Sequence, residues 1–432
     1  MIEKIKQKYH QLLNYGAELL GLDLNYFASG GFWTTFGQGA NGVLAFLLTI
    51  AFANLLPKET YGLYRYILSL AGIFNVFTLF RMNNAVSQAV ASGNEGALRT
   101  SVKYQIKWNL MMTLALWATA GYYFWQNNFI LGASLFVLGI FSPLTQALNT
   151  YGAYLHGRKE FKINNIFGTL ATIVYAAGMF IALLLTKEVV PLIATYVITT
   201  FATNLFFYYK TVRLFNLPAT PSKEALKYGR HLTFLGLMGP VVAQIDSIVL
   251  AHFWGPAQLA VYSLSRVIPD RATSFIKDII DLGMPRLVQK TPDDINKVLY
   301  KRIFQAMVLG AILTAGYIIT APFVFKYILP KYLESVFYSQ ILALNFIFIM
   351  PNGYVATIFG SKKLLTRPLF VICGFIMSGF KILLYIIFGI FGGILGLVLA
   401  QIIYQIFSVS ISIIMWKYES KRLQKIPIEI GN

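Results

Sequence analysis

The sequence predicts an all-α polytopic membrane protein, with twelve transmembrane helices arranged as two six-helix bundles in parallel repeat and both termini in the cytoplasm. Three observations carry that expectation. Of the 432 residues 57% are hydrophobic and only 12% charged, with a mean hydropathy of +0.62, whereas a soluble domain carries about 25% charged residues. Apolar segments long enough to cross a bilayer recur along the whole chain. Lysine and arginine collect on alternate connectors between those segments.

The spans follow from the bilayer itself. A hydrocarbon core about 30 Å thick takes roughly 20 apolar residues as helix, because backbone polar groups in lipid must be satisfied within the segment. Segments 29–55, 62–90, 103–125, 129–153, 164–185 and 189–210 meet this demand in the first half of the chain. Segments 231–254, 257–285, 300–325, 335–358, 368–390 and 392–416 meet it in the second. Upstream, Ile2, Ile5, Tyr9, Leu12, Leu13, Leu19 and Leu20 recur at helical spacing with Lys4, Lys6 and Lys8 on other faces, which reads as an amphipathic helix at the membrane surface rather than a secretory signal. The expected organisation is therefore an interfacial helix over 1–28, a bundle over 29–210, a cytoplasmic linker over 211–230, a bundle over 231–416 and a tail over 417–432.

Positive charge sets the orientation, since short basic loops stay in the cytoplasm. The connectors assigned to one side hold 26 lysines and arginines, and those on the other hold Lys58, Lys187, Lys326 and Lys331. That asymmetry accounts for most of the net charge of +19. It favours anionic membrane lipid as the partner of the excess charge and argues against nucleic acid.

The chain also echoes itself. AFANLLPKETYGLY (Ala51–Tyr64) lies over VLAHFWGPAQLAVY (Val249–Tyr262) without gaps, and Asn149, Tyr151, Gly157 and Lys159 match Asn352, Tyr354, Gly360 and Lys362 at identical spacing. With six spans per half, equivalent helices enter from the same side, which makes the repeats parallel and places a cleft between them.

These features carry a family resemblance. The segment GQGANGVLAFLLTIAFANLLPKETYGLYRY, the NTYGAYLHGRKEFK end of the fourth span and the two-by-six layout resemble the Wzx-like polysaccharide biosynthesis flippases of the multidrug/oligosaccharidyl-lipid/polysaccharide exporter superfamily. The resemblance covers essentially the whole chain and rests on pattern and topology. It implies a multi-pass protein of the bacterial plasma membrane that moves a polyprenyl-pyrophosphate-linked oligosaccharide from the inner to the outer leaflet by alternating access. Membrane lipids and other polysaccharide-assembly proteins are the implied partners, for O-antigen, capsule or exopolysaccharide synthesis.

An ionisable side chain inside the membrane is costly and normally faces a cavity or a partner. Beyond the loop cations stand Arg65, Arg81, Arg266, Arg271, Lys277 and Lys381, and the embedded acids are Asp246, Asp270, Asp278 and Asp281. In the eighth span, Arg266, Asp270, Ser274, Lys277 and Asp281 fall within an arc of about 80°, and Pro269 is expected to kink the helix there. Asp246 and Arg266 each lie about 13 Å from the same expected membrane face, a matched depth that suits a pair. Two readings of that pair stand together: a structural ion pair, or a switch in which Asp246 takes a proton or sodium ion and frees Arg266 for substrate. Asp270 is the second acid of such a coupling site. Guanidinium and ammonium groups suit a pyrophosphate, so Arg266, Arg271, Lys381, Arg81 and Lys277 are the candidate substrate contacts. Arg81 also has a plain reading as a residue that snorkels to the headgroups. Gln38 and Asn41, three apart on the first span, make the polar lining expected in the first half, or hold helices together.

Enzymatic and metal chemistry leave no trace in the pattern. There is no GK[ST] phosphate loop, His10, His156, His231 and His252 are scattered, and Cys373 is the sole cysteine, so no cofactor and no metal site are expected. Two alternatives stay open: a cation-coupled multidrug exporter of the same superfamily, and a membrane polysaccharide polymerase or ligase.

Overall fold

The computed structural model describes residues 24–218, 222–281, 291–362, 364 and 367–424, and the regular structure among them is entirely helical. The amphipathic helix expected over 1–28 lies outside the described residues up to position 23, as does the tail beyond 424. In chain order the helices are α1 (Leu24–Leu55), α2 (Lys58–Phe74), α3 (Met82–Ala91), α4 (Ala97–Trp125), α5 (Phe129–Leu148), α6 (Thr150–Gly157), α7 (Phe161–Leu185) and α8 (Val189–Leu214). There follow α9 (Lys223–Leu235), α10 (Met238–Trp254), α11 (Pro256–Asp281), α12 (Pro292–Ile328), α13 (Ser335–Ala343), α14 (Asn345–Ser361) and α15 (Pro368–Gln424).

Among the described residues, seven helices are long and apolar enough to cross a membrane, or nine when each bent pair is taken as one span. The protein is thus a multi-pass membrane protein. The described residues of the expected segments are helical apart from short breaks, and α4 and α11, which carry more charged side chains, are not among those seven or nine. Two expected helices are bent at a break. The one expected over 62–90 breaks after α2 into a 3-10 turn, Asn75–Phe77, and resumes as α3 at a bend of 57°. The one expected over 231–254 is bent by 42° between α9 and α10. In α15, Gly393 takes φ 54°, ψ −134°, a break at the boundary expected between the segments 368–390 and 392–416. That left-handed φ is a conformation glycine adopts without steric cost.

Local sequence explains where helices begin. Thr291 and Asp294 form a reciprocal capping box ahead of α12, with Pro292 in its first turn, satisfying amide groups that have no intrahelical partner. Ser222 accepts from the Ala225 amide at the start of α9, and Asn128 from that of Leu131 at the start of α5.

The chain divides into two compact units. The first comprises the described residues of 1–49, 77–186 and 190–236, and the second those of 50–76, 187–189 and 237–432. In the first, α4 and α5 form an antiparallel hairpin, and α3 packs on α6 and α9 around Met82, Val86, Leu98, Tyr154 and Leu155. In the second, α10 packs on α15, and α12 on α14 around Ile295, Ile358 and Trp416. The second unit also takes in α2, which packs on both α10 and α11. Glycine permits that approach: a Cβ on Gly62 would sit 1.7 Å from the Pro256 carbonyl oxygen.

Polar contacts staple the connector ends of the second unit. Lys58 pairs with Glu334 and lies over the ring of Tyr332 at 5.3 Å, while Lys331 donates to the Asn54 carbonyl. Burial, reinforced by Tyr61, Glu59 and Glu334, pushes the Tyr332 hydroxyl well above its ordinary range, so it stays neutral. Elsewhere in that unit Glu419, fully buried, pairs with Arg367 and lies 3.6 Å from Arg422.

Candidate functional site

Asp246 lies mid-way along α10 and is 2% exposed. A carboxylate buried among apolar helices is tolerated only with donors around it, and four surround this one. The Ser247 backbone N–H and hydroxyl donate to Oδ1 at 2.7 and 3.3 Å. The Tyr262 hydroxyl donates to Oδ2 at 2.9 Å, and Arg266 pairs with the same oxygen. Tyr262 and Arg266 stand four residues apart on α11, the spacing that puts two side chains on one helix face. Gly255, at φ +87°, joins α10 to α11.

Arg266 has a second partner one turn further on. Its Nε donates to Asp270 Oδ2 at 3.2 Å. Arg266 therefore bridges two carboxylates of different accessibility: the Asp246 side chain is 3% exposed and that of Asp270 52%. The guanidinium also lies over the Tyr262 ring at 5.3 Å, a cation–π contact that offsets part of its lost hydration.

Lys381 reaches this cluster from α15. Its ammonium lies 5.3 Å from the Tyr385 ring centre and 5.0 Å from that of Tyr404, and Asp246, Arg266, Lys277 and Asp270 are within electrostatic reach. Among the described residues Lys381 makes no ion pair. The structure thus gathers Asp246, Arg266, Asp270, Lys277 and Lys381 in the second unit. Arg271 and Lys277 are exposed on α11, and the side chains of Asp278 and Asp281 lie outside the described residues. Ser274 turns its hydroxyl back to the Asp270 carbonyl. Pro269 lies within α11 without ending the helix.

The remaining candidates belong to the first unit. Arg81 precedes α3, exposed, over the ring of Phe80 at 5.7 Å. Gln38 is exposed, whereas Asn41 is half-buried near Gly168 of α7, with its side-chain oxygen buried and without a hydrogen-bond partner. One turn earlier, Gly37 meets Asn165, so this stretch of α1 crosses α7 on small and amide residues, a packing mode common between membrane helices.

Sequence reasoning assigned no aromatic residue to the site, yet three tyrosines shape it. Tyr262 stands one turn before Arg266 and Tyr385 one turn after Lys381, a recurrence visible in the sequence. Tyr404 comes from beyond the Gly393 break and carried no such signal.

A family model described as "Polysaccharide biosynthesis protein" matches residues 27–269, more than half of the chain. The chain belongs to that family. The matched stretch runs from α1 into α11 and includes Asp246 and Arg266, while Lys381 lies beyond it. Comparison with curated protein sequences finds no match. Among solved structures, this family member is similar to the lipid II flippase MurJ in an inward closed conformation, with TM-score 0.65 and 15% identity over 90% of this chain and 87% of that one. It is similar to an inward-facing multidrug resistance MATE family transporter of the MOP superfamily, with TM-score 0.62 and 13% identity over 90% and 96% of the two chains. A MOP superfamily transporter from Pyrococcus furiosus, with a binding pocket of reverse polarity, gives TM-score 0.52 and 14% identity over 92% and 94%. The fold is that of the MOP superfamily transporters.

Proposed function

We propose that this protein is a flippase that carries a polyprenyl-pyrophosphate-linked oligosaccharide from the cytoplasmic to the outer leaflet of the bacterial plasma membrane by alternating access. The reading includes twelve spans in two six-helix bundles, both termini in the cytoplasm, and no enzymatic step. The observation that carries it is the charge centre of the second unit, in which Arg266 is shared between Asp246 and Asp270 and Lys381 lacks an ion-pair partner among the described residues, in a member of a polysaccharide biosynthesis family.

The chemistry follows from those contacts. A pyrophosphate offers several charged oxygens where Asp246 and Asp270 offer one carboxylate each, and a guanidinium fork binds two oxygens at once. The headgroup displaces Asp270, the more exposed partner, and Arg266 and Lys381 then hold it, with Arg271 and Lys277 as further cationic contacts. A proton or sodium ion on Asp246 weakens its hold on Arg266 and so couples an ion gradient to substrate binding. Each state needs its own set of contacts, since a ligand shifts a conformational equilibrium only by its differential affinity for the two states.

Leaflet exchange of a fluorescent polyprenyl-linked glycan in proteoliposomes tests the proposal. Exchange is expected in the native protein and is expected to fall in the combined Arg266→Ala, Lys381→Ala variant. Unchanged exchange in that variant overturns the site, and glycan elongation without exchange overturns the function in favour of a polymerase or ligase. Likeness to MATE transporters and the buried Asp246 favour the second reading, a cation-coupled multidrug exporter. Ion-driven efflux of a cationic dye, without glycan exchange, would establish that one.

A further inference from the structure

The first unit has an open cavity of its own, walled by both apolar and polar groups and about 760 Å³ in volume, within the range of about 300–1,000 Å³ usual for small-molecule sites. Five side-chain amides line it: Asn83, Asn84 and Gln88 from α3, Asn149 from the start of α6, and Asn164 from α7. The walls meet closely because Gly157 of α6 lies against α3, where a Cβ would come within 2.3 Å of the Ser87 carbonyl oxygen. Lys159 then turns the chain at φ 67°, and α7 supplies the third wall.

Those amides are not used to hold the fold. Among the described residues, the side chains of Asn83, Asn84, Gln88, Asn149 and Asn164 make no hydrogen bond to the protein. The repeat gives a direct comparison. Asn352, the counterpart of Asn149 in the second half, donates to the Ser408 hydroxyl at 3.0 Å and accepts from that of Ser412 at 3.3 Å. The same motif is thus spent on helix packing in one half and left open on a cavity wall in the other. In the second half the matching amide, inside α14 rather than at a helix junction, is bonded to its neighbours.

An amide offers two donors and an acceptor without charge. Five of them in one cavity match a ligand whose polar groups both donate and accept, as hydroxyl and acetamido groups of sugars do. A phosphate has oxygens only to accept and would leave the amide oxygens unpaired, and of the basic side chains on the wall the ring of His156 is engaged by Ser87 at 3.2 Å while Lys159 has interactions of its own. An acyl chain would leave every amide unsatisfied. We propose that this cavity binds neutral sugar units of the lipid-linked glycan, separately from the cationic centre that takes its pyrophosphate. The proposal deepens the flippase reading and rests on it for the identity of the ligand.

Saturation-transfer NMR on the full-length protein in nanodiscs tests it, with soluble neutral saccharides as probes: glucose, galactose, N-acetylglucosamine and N-acetylgalactosamine, with sodium pyrophosphate as competitor. Transfer to sugar ring protons is expected, undiminished by pyrophosphate, with affinity about tenfold weaker in the combined Asn149→Ala, Asn164→Ala variant, where two hydrogen-bonding side chains are lost. Asn84→Ala and Gln88→Ala, at exposed positions, guard against a variant that misfolds and are each expected to weaken binding severalfold. No transfer to any of the four sugars, or transfer unaltered in all three variants, overturns the proposal. Glycan flipping in proteoliposomes separates the two readings. Flipping without sugar contact removes the cavity and leaves the flippase, whereas amide-dependent sugar contact without flipping removes the flippase and leaves the cavity.

Discussion

Substituting Arg266 by methionine leaves Asp246 as a carboxylate 3% exposed, still bonded to Ser247 and Tyr262 but without its direct counter-charge. Removing one partner of a buried ion pair costs about 3–5 kcal/mol, whereas replacing both by apolar residues of similar size is often neutral or stabilising by about 1–4 kcal/mol. The Arg266 side chain is 27% exposed, and two neutral donors stay on Asp246, so about 3 kcal/mol is the expected cost of Arg266→Met. Asp246→Asn should cost less, about 1–2 kcal/mol, because Arg266 keeps its bond to Asp270. The combined Asp246→Leu, Arg266→Met variant should recover most of the loss, giving a coupling of about 2–3 kcal/mol in a double-mutant cycle with Asp246→Leu as the second single variant. Unfolding measured in nanodiscs of fixed lipid composition reads the stabilities, and proteoliposome flipping reads the function. Single-variant costs that add to within about 0.5 kcal/mol would refute a coupled buried pair. A stable double variant that no longer flips glycan supports the switch, and one that flips at the native rate makes the pair purely structural.

The other predictions rest on single contacts. Arg367→Ala should destabilise the second unit by about 3 kcal/mol, because Glu419 is fully buried and loses its nearest cation; a native melting temperature would contradict this. Gly62→Ala places a methyl 1.7 Å from the Pro256 carbonyl oxygen, so α2 and α11 must part at a cost of about 1–3 kcal/mol or more, read as a lower melting temperature. Gly392→Ala, with open space around it, is the control expected to melt near the native protein. Lys381→Met should reduce flipping without loss of folded protein, since no carboxylate depends on it as an ion-pair partner among the described residues, and Lys381→Arg should restore part of the rate. Equal rates in all three proteins would take Lys381 out of the mechanism.

Much of the charge cluster could be read from spacing alone. Arg266 and Asp270 are four residues apart on an apolar helix, which places them in contact, and the matched depth of Asp246 and Arg266 pointed to the bond that forms between α10 and α11. The tyrosines were harder to see. Sixteen per cent of the chain is aromatic, most of it suited to lipid contact, so Tyr262 and Tyr385 had no composition signal to set them apart. Glu419 and Arg367 are 52 positions apart, and Arg367 looked like one more loop cation. The break at Asn75–Phe77 was also hidden, because the residues on both sides are apolar enough to extend a single helix.

Hydropathy, cation placement and helical periodicity are local properties, and from them the sequence by itself determined membrane residence, the helical segments and the set of embedded charges. Which of those charges are satisfied is a matter of contacts between segments far apart in the chain. Only the tertiary structure decided that Tyr262 and Arg266 share one oxygen of Asp246, that Lys381 rests on two tyrosine rings, and that α2 packs with the second unit. It also decided the different fates of two identical residues, Asn352 bonded to serines of α15 and Asn149 open on a cavity wall. A repeated motif puts each asparagine on helical backbone, but its neighbours come from elsewhere in the chain and determine whether its amide is used for packing or left for a ligand.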